Sequence, residues 1–426
     1  MNKDTHDKGN EKHRHNGFKS IRVFFTEEEY HRVLSDNQYF KRRLDFMIKE
    51  YPDLFPVEIK NGYQLHGTIP TSIKQNIEVR RINITSMEKG VFQIYPSFVM
   101  PYMTERTDGA WKILLLSLYR VPEWVLAKVF DKDEKHIQRL QSHLGNCSIV
   151  GSTVRSVTKV PKHLVADEKH SRLNGEKAYI ATISAKDCFL CGGVTNKADE
   201  TELTEAYGKF KKEAEDIESD YQAKTVNTDG WKATGKSLIK VLGKSVQIIS
   251  CFLHAFLSIK NVSTKKTEKI FLKVKEKVWD IYKAKDKHTF SQRIRRLREF
   301  ASSISDIRIK EKVLKLCRKK YSFMISYDFS KAHRTSNMID RLMDFMDKFL
   351  YNRKYLKGKN STAQKSVTAF CIAHNFRPYA PETVKKQNIR SPFEKLNGFQ
   401  YHENWLQNML IATSRNGYRK NQQKKT

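Results

Sequence analysis

The order of apolar segments between residues 159 and 259 constrains this chain most. KHLVADEKH is an apolar run ending in Asp167 and Glu168. AYIATISA and CFLCGGV follow with no room for a helix between them, so the three read as an antiparallel β-meander. ETELTEAYGKFKKEAEDI is then helical, KTVNTDGWKAT is a strand ending at Asp229, and SLIKVLG is a short helix. SVQIISCFLHAF is an apolar strand running into a helix that carries His254. A meander followed by strand–helix alternation closes as a mixed sheet flanked by helices, an α/β (α+β) architecture.

The flanking segments divide the rest. Residues 1–18 lack large apolar side chains until Phe18 and read as a polar, basic arm. Residues 19–100 hold a helical piece that opens at Thr26 with three glutamates in its first turn, then hairpin patterns broken by Asn-Gly and Gly-Thr between residues 57 and 97. Residues 101–158 contain WKILLLSLYR, VPEWVLAKVF and DKDEKHIQRLQSHLG, three consecutive helices. The last two have the form of a DNA-binding helix-turn-helix, with Lys132, Lys135, His136, Gln138 and Arg139 facing outward. A helical hairpin that only packs would give the same pattern, and the basic charge tilts the reading toward DNA.

Residues 260–320 interrupt the alternation with helices only. Ile270, Val274, Val278 and Ile281 share one helical face, and Ile294, Leu297 and Ala301 repeat the pattern. This block holds 21 Lys and Arg against 7 Asp and Glu, a net +14. Its Arg293, Arg295, Arg296 and Arg298 are candidates for phosphate contact, because a merely solvated face does not require such imbalance. Residues 321–380 return to the sheet-bearing domain with an amphipathic helix marked by Met338, Leu342, Phe345 and Phe349. Residues 381–426 form a C-terminal helix and a basic tail.

Composition narrows the function. With 79 Lys and Arg against 47 Asp and Glu the chain carries a formal +32, which implies a polyanionic partner, and double-stranded DNA is the first expectation. Six cysteines in 426 residues are too sparse for a secreted disulfide scaffold. No stretch approaches the ~18 apolar residues of a membrane span, so a cytoplasmic protein is expected, with no membrane partner.

Three carboxylates stand where such a sheet would gather them: Asp167 after the first strand, Asp229 after the fourth, and Asp340 on the helix behind the all-helical block. Hard Mg²⁺ or Mn²⁺ ions prefer carboxylate oxygen and leave positions open for water and phosphate. Two such ions about 3.5–4 Å apart would serve the attacking and leaving oxygens of a phosphodiester reaction. Any single acid is more often a surface group or a cap, and Asp344 and Asp347 rival Asp340 from further along its helix. Two of the three, however, follow apolar strands, at the edge where α/β sheets place their sites.

Asp167, then Asp229-Gly230-Trp231, then Cys251-Phe252-Leu253-His254, then Arg334-Thr335-Ser336-Asn337 leading to Asp340, resemble the DDE/DDD transposases of bacterial insertion sequences and their Mutator-like relatives. The resemblance spans roughly residues 159–380. It implies a ribonuclease-H-like catalytic domain with a helical insertion before the third acid. It implies Asp167, Asp229 and Asp340 as ligands of two Mg²⁺ or Mn²⁺ ions, with His254 near the scissile phosphate or supporting the site. It further implies cleavage at terminal inverted repeats, strand transfer into target DNA, a homo-oligomer on paired ends, and a nucleoid-associated protein of a prokaryotic host. Asp340 stands where many relatives have Glu.

Other residues have rival readings. Cys188 and Cys191 together with Cys251 and His254 have the spacing of a structural zinc site, but positions three apart on a strand point to opposite faces. His333 and Arg334 are placed to touch phosphate or to cap a helix. Trp231 is placed to stack on a base or to join the core. A transposase-derived DNA-binding protein that has lost catalysis, or a nuclease without strand transfer, is the alternative function.

Overall fold

The computed structural model describes residues 18–70, 76–100, 103, 105–155 and 158–419. The arm at residues 1–17 and the basic tail beyond residue 419 lie outside the described residues. The N-terminal region holds β1 (Ser20–Val23), α1 (Glu27–Ser35), α2 (Asn37–Glu50), β2 (Gln64–Pro70), β3 (Glu78–Asn83) and β4 (Val91–Pro96). Thr26 and Glu29 close the capping box that starts α1. The helical run breaks at Asp36, which ends α1 and caps α2 by accepting from the Tyr39 amide. These strands pair in the order β1-β4-β3-β2, with β1 parallel to β4. Val57–Asn61, inside the expected hairpin, is instead a 3-10 turn.

Three helices follow, α3 (Thr107–Leu118), α4 (Glu123–Val129) and α5 (Glu134–Ser142), then the short α6 (Ile149–Thr153). The second sheet is built from β5 (His163–Leu173), β6 (Glu176–Ala185), β7 (Cys188–Thr195), α7 (Glu200–Ile217), β8 (Thr225–Thr228), α8 (Lys232–Leu242), β9 (Gln247–Ser250) and α9 (Phe252–Lys260). Its order is β7-β6-β5-β8-β9; the first three strands are antiparallel and β5, β8 and β9 parallel. The molecule is a mixed α/β structure with two mixed sheets and many helices.

Helices α10 (Glu268–Tyr282), α11 (Lys287–Ala301), α12 (Ile307–Arg318) and α13 (Lys320–Met324) pack around their own core with α9, on Phe252, Phe256, Val278, Phe290 and Leu316. The chain then rejoins the sheet through α14 (Asn337–Asn352) and α15 (Asn360–Phe376), and ends in α16 (Pro381–Gln387), α17 (Pro392–Asn397) and α18 (Trp405–Ala412).

The five-stranded sheet has a different core on each face. Ala166, Ile183 and Leu190 meet Leu203, Tyr207 and Phe210 of α7 and Leu238 of α8. Val165, Ile180 and Phe189 meet Met338 and Leu342 of α14 and Val367 and Cys371 of α15, in a core that continues into the N-terminal sheet. Gly192 and Gly193 permit the close approach on both sides: a Cβ at the first would fall 2.8 Å from Cys371 Sγ, and at the second 2.7 Å from Ala206 Cβ. The C-terminus folds back on β1, where the buried Arg22 guanidinium donates to the Leu410 and Thr413 carbonyls. No described helix is long and apolar enough to cross a membrane.

Candidate active site

The parallel strands set the site. His163, Leu164 and Val165 of β5 pair with Thr225, Val226 and Asn227 of β8, and Thr228 of β8 pairs with Ser250 of β9. Carrying those registers one or two residues further brings Asp167, Asp229 and Cys251 to the same level on three adjacent strands, just beyond the ends of β8 and β9. The Cys251 amide still donates to the Thr228 carbonyl at 2.7 Å there. Asp167 lies mid-strand rather than at a strand end, because β5 continues as a long partner of β6 after β8 has left it.

Asp167 is the most perturbed of the three acids. Burial first, and then the Asp229 carboxylate, push it up to about 6, against the pull of the Glu168 amide and His254; Asp340 adds to the rise. Asp229 accepts from the Trp231 amide at 2.8 Å, a local Asx turn made possible by Gly230 at φ +92°. Asp340 sits in the first turn of α14, where Ser336 Oγ donates to its two oxygens at 3.1 and 3.3 Å. Burial raises its carboxyl, and His254 opposes this.

His254, on the first turn of α9, faces these acids. A hydrogen bond with the Cys251 sulfur, helped by the Asp340 and Asp167 carboxylates and opposed by burial, pushes the imidazole up to about 9. Its Nδ1 lies 3.1 Å from Ser336 Oγ. Cys251, buried, receives the His254 and Ser336 amides at 3.4 and 3.2 Å. Burial raises its thiol, but the hydrogen bonds from His254 and Ser336 outweigh this and leave it below the ordinary range. Ser336 thus ties Cys251, His254 and Asp340 together, so the C-x2-H pair is a structural bracket for the third acid as well as a local positive charge.

No family model matches the chain, and no curated protein shows significant similarity to it. Among the described residues no three His, Cys, Asp or Glu side chains converge into a ready-made metal cage. Mg²⁺ does not require one, since it commonly binds one or two carboxylates and completes its shell with water and substrate phosphate. The donors present are hard carboxylates that repel one another, which fits such an ion.

The other expected residues fall in several places. On the helix pair, Lys135, Gln138 and Arg139 are exposed, but Gln138 donates to Glu123, while Lys132 and His136 both reach Glu105, at 2.7 and 3.3 Å. In the helical unit Arg296 and Arg298 are exposed with no ion pair among the described residues, Arg295 pairs with Glu299, and Arg293 donates to the Asp280 carbonyl. Arg334 is held between Tyr282 and Tyr327, 4.7 and 4.9 Å from their rings, and donates to the Tyr327 hydroxyl. That packing gives it a structural role where the helical unit meets the segment before α14. Trp231 is exposed beside Asp229. Asp344 is exposed and Asp347 pairs with Lys169, leaving Asp340 as the acid of α14 coupled to His254.

For the zinc alternative the expected obstacle is removed, but no such cluster forms among the described residues. Ile183 pairs with Cys191, Ser184 with Phe189 and Ala185 with Cys188, so Leu190 bulges and both cysteines share one face. They are buried against α7, where Cys191 donates to the Ala206 carbonyl, and burial pushes its thiol up to about 12.

One residue escaped the sequence reading. Lys319, where α12 ends, lies over the Asp229-Gly230 turn: a Cβ on Gly230 would fall 2.6 Å from its Nζ. Burial and Lys315 push its ammonium below the ordinary range, while Asp229 and Cys251 pull the other way. The only signal in the sequence was its place in the run Arg318-Lys319-Lys320, which does not single it out.

Proposed function

We propose that the protein is a DDD transposase with a ribonuclease-H-like catalytic domain, which cleaves DNA at the terminal inverted repeats of its element and transfers the strand to target DNA. The observation that carries this reading is that Asp167 within β5, Asp229 just after β8 and Asp340 on α14 lie near enough to act on the same group: Asp229 and Asp340 both raise the Asp167 carboxyl, and Asp167 and Asp340 both raise His254. Asp167 and Asp229 would hold one Mg²⁺ or Mn²⁺ and Asp340 would contribute to a second. Bound there, the ions supply Lewis acidity and a water or 3′-hydroxyl of lowered pKa.

The remaining chemistry belongs to the chain. In cleavage, a water oxygen attacks phosphorus and the P–O3′ bond breaks, leaving a 3′-hydroxyl and a 5′-phosphate; in transfer, the 3′-hydroxyl attacks a target phosphorus and displaces its 3′ oxygen. His254 keeps a proton at neutral pH and holds positive charge beside the carboxylates. Ser336 orients Asp340 by donating to its oxygens. Lys319 offers an ammonium to phosphate charge above Asp229. Exposed Trp231 stands where a base adjoining the cut would stack. Double-stranded DNA is the partner, engaged also through the basic helical unit, with a homo-oligomer joining paired ends in the cytoplasm of a prokaryotic host.

The test incubates the full chain with a plasmid carrying the gene's own flanking DNA and Mg²⁺ or Mn²⁺, beside Asp229→Asn. Metal-dependent cuts at the element boundary and joined products from the wild type alone support the reading. Cuts without joined products favour a nuclease. Tight binding without a cut in either protein favours a transposase-derived binding protein.

A further inference from the structure

A cleft of about 670 Å³ opens where residues 158–163, the β6–β7 turn and the segment 328–333 meet. Lys159, Lys186, Lys224 and Lys331 line it, all exposed, and their ammonium groups have no ion pair among the described residues. Lys162 is answered by Glu218 at 3.3 Å, and Asp328, the acid of the lining, is taken by Lys287. The cleft therefore holds a surplus of positive charge that no ion pair among the described residues neutralises.

Its floor is built. His163 Nδ1 lies 3.0 Å from Thr225 Oγ1, its ring packs against Phe329, and the His333 carbonyl accepts from Asn227 Nδ2 at 3.0 Å. Burial, then Lys224 and Lys331, hold the His163 imidazole below its ordinary range; burial, then His163, do the same for His333. Lys186 and Asp187 take left-handed backbone, at φ +48° and +65°, as the two-residue β6–β7 hairpin requires, and this turn sets Lys186 at the cleft's rim.

Position gives the cleft meaning. His163 and Thr225 stand four residues before Asp167 and Asp229 on the same two strands, and the segment from Phe329 to Ser336 runs from the cleft to the carboxylates. We propose that this cleft binds the phosphate backbone of duplex DNA, as an anchoring contact about 13 Å along the strands from the carboxylate site. The cationic chemistry suits any polyphosphate; the choice of DNA rests on the function proposed above.

The experiment measures duplex oligonucleotide binding by fluorescence anisotropy across a salt series. It compares the wild-type full chain with a triple variant, Lys159→Glu, Lys224→Glu and Lys331→Glu, and with a control triple of exposed lysines on α7 and α8, Lys209→Glu, Lys212→Glu and Lys240→Glu. The cleft variant is expected to lower the slope of log K against log salt by about 2 to 3, the loss of roughly three phosphate contacts, with the control close to wild type. A cleft triple to Gln gives the same reading should the Glu variant fail to fold. An unchanged slope in the cleft variant, or equal losses in both triples, overturns the proposal. So does binding of inorganic tripolyphosphate that is lost in the cleft variant while duplex affinity stays intact. Because the readout is metal-free binding, it stands apart from the cleavage test: failure to cut leaves it standing, and failure of the slope to move leaves the cutting reading intact.

Discussion

Asp167 and Glu168 are adjacent on β5, yet the two faces of the strand treat them oppositely. Glu168 points into the α7–α8 core, where Tyr207 and Thr234 both donate to its Oε1, and it is only 6% exposed. Asp167 points to the α14 side, where no side chain donates to it among the described residues and two further carboxylates bear on it. Both carboxyls are raised by burial. One has been given neutral partners that make it part of the core. Like charges bear on both, but the other has no side-chain donor among the described residues and only the Glu168 amide and His254 set against them, an arrangement that costs stability and that a cation would complete.

The largest effect that tests this contrast is on activity. Asp167→Asn should lower metal-dependent DNA cutting by at least about a thousandfold, the scale of losing one charge-stabilising group, whereas Glu168→Gln should cut within a few-fold of wild type. Comparable losses in both would erase the distinction. Lys319→Ala is expected to reduce cutting by about a hundredfold at unchanged DNA affinity in the absence of metal, measured by single-turnover kinetics. A wild-type rate would remove Lys319 from the site.

Stability should invert the ranking. Glu168→Ala leaves the Tyr207 and Thr234 hydroxyls unanswered and should cost about 2–4 kcal/mol by urea denaturation, while metal-free Asp167→Asn should be neutral or stabilising. The smallest effect is in pH. With Glu168 raised from 4.5 to about 7, the folded state holds its proton longer than the unfolded chain, so this group's stabilisation is full below pH 4.5 and is lost as pH rises through about 7. Asp167, raised from 3.8 to about 6, does the same across its lower window. Urea midpoints without metal should therefore fall over these ranges, and Glu168→Gln should flatten the upper one. Saturating Mg²⁺ should flatten the Asp167 window and leave that of Glu168 in place.

Much of the fold was legible because its signals are local. The capping box at Thr26, the alternation of β5 to β9 with α7 to α9, and the apolar stripes of the helical unit are written in neighbours a few residues apart. The positions of Asp229 just after β8 and of Asp340 in the first turn of α14 were legible because a strand end and the start of an amphipathic helix can be read along the chain, whereas Asp167 was expected at a strand end and lies within β5. What was not legible needed pairing partners. A single bulge at Leu190 put Cys188 and Cys191 on one face, and a strand pattern cannot announce a bulge. The contact of β1 with β4 and the return of the C-terminus onto Arg22 join residues far apart in sequence.

Sequence alone determined the order of elements, the surplus of positive charge and the acids available for chemistry, since each depends only on composition and local spacing. Tertiary structure decided the rest. The β5–β8 register brought Asp167 level with Asp229, 62 positions further along the chain. Ser336 joined Cys251 and His254 to Asp340, and the docking of the helical unit set Lys319 above Gly230. These are distances between remote segments, fixed by sheet pairing and by which faces are buried, and no local pattern encodes them.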